Sequence, residues 1–189
     1  MKKAILFSLL FAGLAVKPAM AAGPYISAAA GLGIPGKFEE SGGTWGVDSG
    51  IALNGAVGYD FNGLRAEAAV GYQNSDYEIA DTGGVVMWTF MANAYYDINT
   101  GSDIQPYLMA GLGAAHIKAD DDPVTSPPWL DETYFVWQLG AGIGCKVSKT
   151  ITVDLGYKYL KPEGIRCDNH NSDVTWETHN IMAGIRVSL

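Results

Sequence analysis

The stretch Ile51–Tyr72, IALNGAVGYDFNGLRAEAAVGY, reads as two β-strands joined by a tight turn. On the first arm Ile51, Leu53, Gly55, Val57 and Tyr59 alternate with Ala52, Asn54, Ala56 and Gly58. On the second arm Leu64, Ala66, Ala68, Val70 and Tyr72 alternate with Arg65, Glu67, Ala69 and Gly71. Between them Asp60-Phe61-Asn62-Gly63 carries Asn-Gly, a pair that tolerates positive φ. Successive side chains of a strand point to opposite faces, so each arm has one apolar face and one small or polar face. The second face holds a full arginine and a full glutamate among glycines and alanines. A solvated face would be dense in Lys, Glu and Thr instead. The pattern therefore predicts an inverted barrel, with its apolar face toward lipid and its charges in a crowded lumen.

The same alternation recurs along the chain and gives an all-β class: an eight-stranded antiparallel up-and-down transmembrane barrel over residues 22–189. The hairpin supplies the second and third strands. The others are predicted at Tyr25–Ile34, Val85–Asp97, Ile104–Ile117, Thr133–Lys146, Thr150–Leu160 and Thr175–Leu189. Strands of about ten residues cross a bilayer when tilted. None of the outward alternate positions over Ile26–Ile34, Ile51–Tyr59, Leu64–Tyr72, Val86–Tyr96, Leu108–Ala114, Phe135–Ile143, Ile151–Tyr159 and Ile181–Leu189 is charged. A slip of one residue would carry Arg65, Glu67, Asp154, Lys158 and Arg186 into hydrocarbon, at roughly 2–4 kcal/mol for each basic residue near the midplane. The alternation thus fixes the register. Outward Tyr59 and Tyr96 mark one membrane boundary, and Tyr72, Trp88, Trp137, Tyr157 and Tyr159 mark the other.

Connection lengths alternate as well. Residues 35–50, 73–84, 118–132 and 161–174 are long and polar, whereas 60–63, 98–103 and 147–149 are short. Long outer loops with short periplasmic turns are the expected asymmetry of an outer-membrane barrel. Residues 1–21 read as a cleaved signal peptide: Lys2 and Lys3, the apolar run Ala4–Val16, then Ala19-Met20-Ala21. The formal net charge of −8, with 24 glycines and 17% charged residues, suits such a barrel and argues against a nucleic-acid partner. Cys145 and Cys167 are placed at opposite ends of the barrel, beyond the reach of a disulfide.

Several segments resemble the opacity-type small surface proteins, eight-stranded barrels similar to the transmembrane domain of outer-membrane protein A. They are Leu64–Gln73, Met91–Asp97, Pro106-Tyr107 with Ala110–Gly113, Gly156–Tyr159, and His179-Asn180 leading to Gly184–Arg186. The resemblance implies a non-enzymatic surface protein of a Gram-negative outer membrane. It also implies adhesion or host contact through the loops, antigenicity, and a barrel that contributes to envelope integrity. Gly184, Val187 and Leu189 match the C-terminal signal read by the barrel assembly machinery, although the family prefers Phe at the last position. Partners are then membrane lipid, that machinery during insertion, and a surface ligand at the loops. Trp45, Tyr77, Trp129 and Leu130 are the apolar loop residues, with two readings open: anchoring a partner or folding over the rim.

The candidate chemistry is otherwise structural. Arg65, Glu67, Asp154, Lys158 and Arg186 form an expected lumen network, with Asp154 paired to Arg186 and Glu67 reaching toward Arg186 or Arg65. Eight strands leave an interior just filled by side chains, so a plug is expected rather than a wide porin-like channel. Gly31-Leu32-Gly33-Ile34-Pro35-Gly36 has the string of a dinucleotide loop but no following helix. Asp120-Asp121-Asp122 with Asp131 and Glu132 lacks the ligand spacing of a calcium loop. No catalytic residue, metal or cofactor is expected. Two rivals remain. A lipid A-modifying barrel enzyme would use His170-Asn171-Ser172, which lies among turn formers. A secreted lipocalin-like carrier would use Gly43-Thr44-Trp45, but it needs its apolar face inward.

Overall fold

The computed structural model describes residues 22–36, 38–40, 43–45, 48–76, 84–120, 130–167, 172–174 and 176–189. The strands are β1 (Gly23–Pro35), β2 (Phe38–Glu40), β3 (Gly43–Trp45), β4 (Gly50–Asp60), β5 (Leu64–Asp76) and β6 (Gly84–Asp97). They continue with β7 (Ile104–Asp120), β8 (Leu130–Lys146), β9 (Ile151–Glu163), β10 (Ile165–Cys167), β11 (Ser172–Val174) and β12 (Thr178–Ser188). Eight of them close a barrel in the order β1-β12-β9-β8-β7-β6-β5-β4. Every ladder is antiparallel, and β12 closes the ring on β1 from Tyr25↔Ser188 to Pro35↔Thr178.

The inverted polarity holds. Arg65 is 3% exposed and Arg186 5%, whereas Leu53, Leu155 and Ile185 are 46%, 51% and 52% exposed. The hairpin that decides the reading turns at Asn62 (φ 67°) and Gly63 (φ 99°). Positive φ at both central residues is the type I′ turn, whose twist matches the strands it joins. Its ends are tied by Phe61 N–H to Leu64 O at 2.8 Å and Gly63 N–H to Asp60 Oδ1 at 2.9 Å.

Two expectations are corrected. The segments 35–50 and 161–174 are not loops throughout: β2 pairs with β3, and β10 with β11, as short sheets at the outer end. In addition, β7 and β8 run past the expected boundaries to Asp120 and from Leu130. Their ladder continues to Ala119↔Leu130, while β8 leaves β9 at Phe135↔Glu163. The charges at Lys118, Asp131 and Glu132 looked like loop chemistry, but this part of the hairpin stands above the apolar band and can carry them.

Glycines face the lumen where large side chains cross it. A Cβ at Gly142 or at Gly156 would lie 2.4 Å from the Tyr107 hydroxyl, so the ring fits only because both positions are bare. Cys145 is a free, exposed thiol near the end of β8, between Ile104 and Val153. Cys167 ends β10 at the opposite end of the barrel.

Candidate functional site

The lumen is organised in layers. In the periplasmic half Arg65 on β5 donates two hydrogen bonds of 2.8 Å to Asp97 at the end of β6. Its guanidinium lies 4.2 Å from the centre of the Tyr95 ring and 5.3 Å from that of Tyr107. Arg186 on β12 bonds Asp154 at 3.2 Å and approaches Asp97 at 3.7 Å. Asp97 is the last residue of β6, Arg186 the third from last of β12 and Asp154 the fourth of β9, so all three lie toward the periplasmic ends of their strands. A paired charge in a dry interior also needs its remaining donors satisfied, and the stacked rings supply part of that.

The expected Asp154–Arg186 pair is present. Glu67 is a correction, because it does not reach an arginine. It accepts from Tyr25 Oη at 3.1 Å, Tyr95 Oη at 3.0 Å, Asn93 Nδ2 at 3.2 Å and Ser27 Oγ at 3.4 Å. Four neutral donors stand in for the cation. Asp97 takes the place assigned to Glu67, and sequence reasoning missed it; its only signal was inward parity two residues beyond Tyr95. Lys158 faces the lumen as expected but joins none of these ion pairs. It lines two small polar cavities of about 60 and 30 Å³, room for a few waters each.

The outer half of the lumen is closed differently. Val85, Met87, Ile117, Val136, Leu160 and Trp176 belong to one buried apolar cluster, with Trp176, Ile117 and Val136 almost fully buried. Leu130, open between partner contact and rim cover, is part of this cap and points inward. Trp45 lies on β3. Tyr77, Trp129, His170 and Asn171 fall outside the described residues, as do Asp121 and Asp122. Among the described residues no group of three or more His, Cys, Asp or Glu could hold a metal ion.

The rim carries polar pairs that the sequence did not disclose. His116 on β7 sits between Thr133 Oγ1 and Asp131 Oδ1 on β8, each at 3.2 Å. His179 Nδ1 meets the Tyr157 hydroxyl at 2.6 Å and its ring packs against Tyr159, whose hydroxyl bonds Glu177. Trp137 Nε1 donates to Glu163 at 2.8 Å. These contacts tie neighbouring strands together at the outer boundary, where aromatic side chains present an apolar body and a polar tip. At the other end Leu189 follows β12, and its N–H bonds Pro24 O at 2.9 Å beside the β1 ladder.

Known proteins share this architecture. The chain is 38% identical over 84 residues to outer membrane protein PagN of Salmonella typhimurium, covering 40% of this chain and 34% of that one. It is 34% identical over 101 residues to an uncharacterised protein of Brucella abortus, covering 48% and 35%. It therefore spans about a third of the length of these curated relatives. Among solved structures it is similar to Neisserial surface protein A, with a TM-score of 0.67 at 24% identity, covering 89% of this chain and 99% of that one. It is also similar to Ail of Yersinia pestis, with a TM-score of 0.51 at 20% identity, covering 87% and 98%. At these identities the likeness is one of fold. The family model for the outer membrane protein beta-barrel domain matches residues 4–186, so this chain belongs to that family and is a small eight-stranded barrel of the Gram-negative outer membrane.

Proposed function

We propose that this protein is a non-enzymatic surface-contact protein, its barrel an anchor and its outer connections the part that meets other surfaces. The observation that carries this is the filled lumen. Arg65, Asp97, Asp154 and Arg186 occupy one half, and Trp176 with Ile117 and Val136 occupies the other. A barrel packed in this way works at an end or along its wall. Ail is the attachment invasion locus protein, and it has been solved with a heparin analogue, sucrose octasulfate. The outer segments here are acidic, including Glu39, Glu40, Asp131, Glu132, Glu163 and Glu177. A polyanion would be repelled, so the reading favours a partner with a basic surface. Trp45, Tyr77 and Trp129 are its proposed apolar anchors, and Gly184, Val187 and Leu189 the proposed signal for insertion.

Purified barrel in lipid nanodiscs, offered to immobilised heparin and to a panel of basic extracellular proteins, tests the reading. Binding to basic proteins should weaken with salt and vanish when residues 77–83 and 121–129 are replaced by short Gly-Ser turns. Binding that survives those replacements, or that prefers heparin, sinks it.

A further inference from the structure

The lipid-facing wall is uneven. On one rung the outward residues run Ile185, Ala28, Gly55 and Val70 across β12, β1, β4 and β5. On the next rung toward the outer end they run Ala183, Ala30, Leu53, Tyr72 and Trp88. Adjacent strands lie about 4.8 Å apart. Ile185 and Val70 therefore stand three spacings apart with only a methyl group and a hydrogen between them. The result is a hollow of about 930 Å³ in the apolar wall. A Cβ built on Gly55 meets nothing within 4 Å. Tyr72 and Trp88 border the outer end of the hollow, edge to face with ring centres 5.0 Å apart.

A second observation concerns the polar tips of the rim aromatics. On the wall formed by β8, β9 and β12 they are used internally: Trp137 bonds Glu163, Tyr157 meets His179 and Tyr159 bonds Glu177. At the hollow, neither the Trp88 indole N–H nor the Tyr72 hydroxyl has a hydrogen-bond partner among the described residues. Two donors at the mouth of an apolar hollow call for a ligand with a long hydrocarbon body and an oxygen acceptor at one end.

We propose that this hollow seats one acyl chain of an outer-leaflet lipid, with the ester oxygens of that lipid accepting from Trp88 and Tyr72. The seat lies within the face that already meets the membrane, so its occupant comes from the bilayer. A second copy of the chain fits poorly, because a two-fold contact sets the same patch against itself and would leave hollow facing hollow. The seat is independent of the surface-contact reading, which concerns the outer connections.

Vesicles of phosphatidylcholine doped with a bromine-labelled phosphatidylcholine test it, since bromine quenches tryptophan on contact. The Trp88 signal is the difference between the native chain and Trp88→Phe, and the Trp137 signal is obtained likewise from Trp137→Phe. Trp88 should be quenched at a severalfold lower fraction of labelled lipid than Trp137. Gly55→Leu, or Ala30→Leu if the first fails to fold, should abolish that difference while the barrel keeps its heat-dependent electrophoretic mobility. The proposal is overturned if both signals follow one curve in the native chain, or if the Trp88 excess survives filling. A cross-linked dimer that filling abolishes would assign the hollow to a second copy and overturn it equally.

Discussion

Arg65 and Asp97 hold each other through two hydrogen bonds of 2.8 Å, with each side chain 3% exposed. Arg186 lies 3.7 Å from the same carboxylate, so Asp97 serves two cations at once. Removing it strands Arg65 and leaves Arg186 with Asp154 alone. Asp97→Ala should lower the unfolding free energy by about 3–5 kcal/mol, the usual cost of leaving a buried charge unpaired. Arg65→Ala should cost a similar amount, and the double variant much less than the sum. Urea titration of the barrel in lipid vesicles, run as a double-mutant cycle, measures this; additive losses would refute the coupling.

The apolar cap makes a separate claim. Trp176→Ala should cost about 3–5 kcal/mol, as for other large aromatic side chains cut from a packed core. Neither the native barrel nor this variant should pass a steady current across a planar bilayer, because the Arg65–Asp97–Arg186 layer still fills the other half. A stepwise conductance in the native protein would contradict the filled-lumen description.

Depth in the bilayer should grade the cost of an outward charge. Leu155 faces lipid near the middle of β9, and Phe61 lies in the short periplasmic turn. Leu155→Arg should destabilise by about 2–4 kcal/mol and Phe61→Arg by no more than about 1 kcal/mol. Equal losses would mean that Leu155 does not face hydrocarbon.

Cys145 is free and exposed at one end of the barrel, while Cys167 belongs to β10 at the other. The folded monomer should therefore run at the same position in gels with and without reductant. A shift would demand a different topology.

The fold was legible because one period of two governs every long strand. An apolar outward row and a small or charged inward row leave one register, and Asn62-Gly63 marks the turn that fixes it. Asp154 and Arg186 were found because they lie on neighbouring strands, on diagonally placed rungs. Contacts across the lumen were not legible in the same way. That Glu67 meets Tyr25 and Arg65 meets Asp97 depends on the stagger of the closed barrel, which alternation along a single strand does not encode. His116 found Asp131 for a related reason: their pairing follows from the register of β7 on β8 across a long connection. For Leu130 the sequence leaves partner contact and rim cover open, and it does not single out Trp176, because polar neighbours make both segments look like surface. Both side chains nevertheless fill the mouth of the barrel.

The β7–β8 ladder outlasts the β8–β9 ladder by five residues, from Phe135 to Leu130, or roughly 17 Å along the strand. The rim is consequently lopsided, with the paired β7–β8 hairpin rising past the point where β9 leaves it. Any pull applied at its tip is delivered off-centre and tilts the whole cylinder in the membrane instead of drawing it straight out.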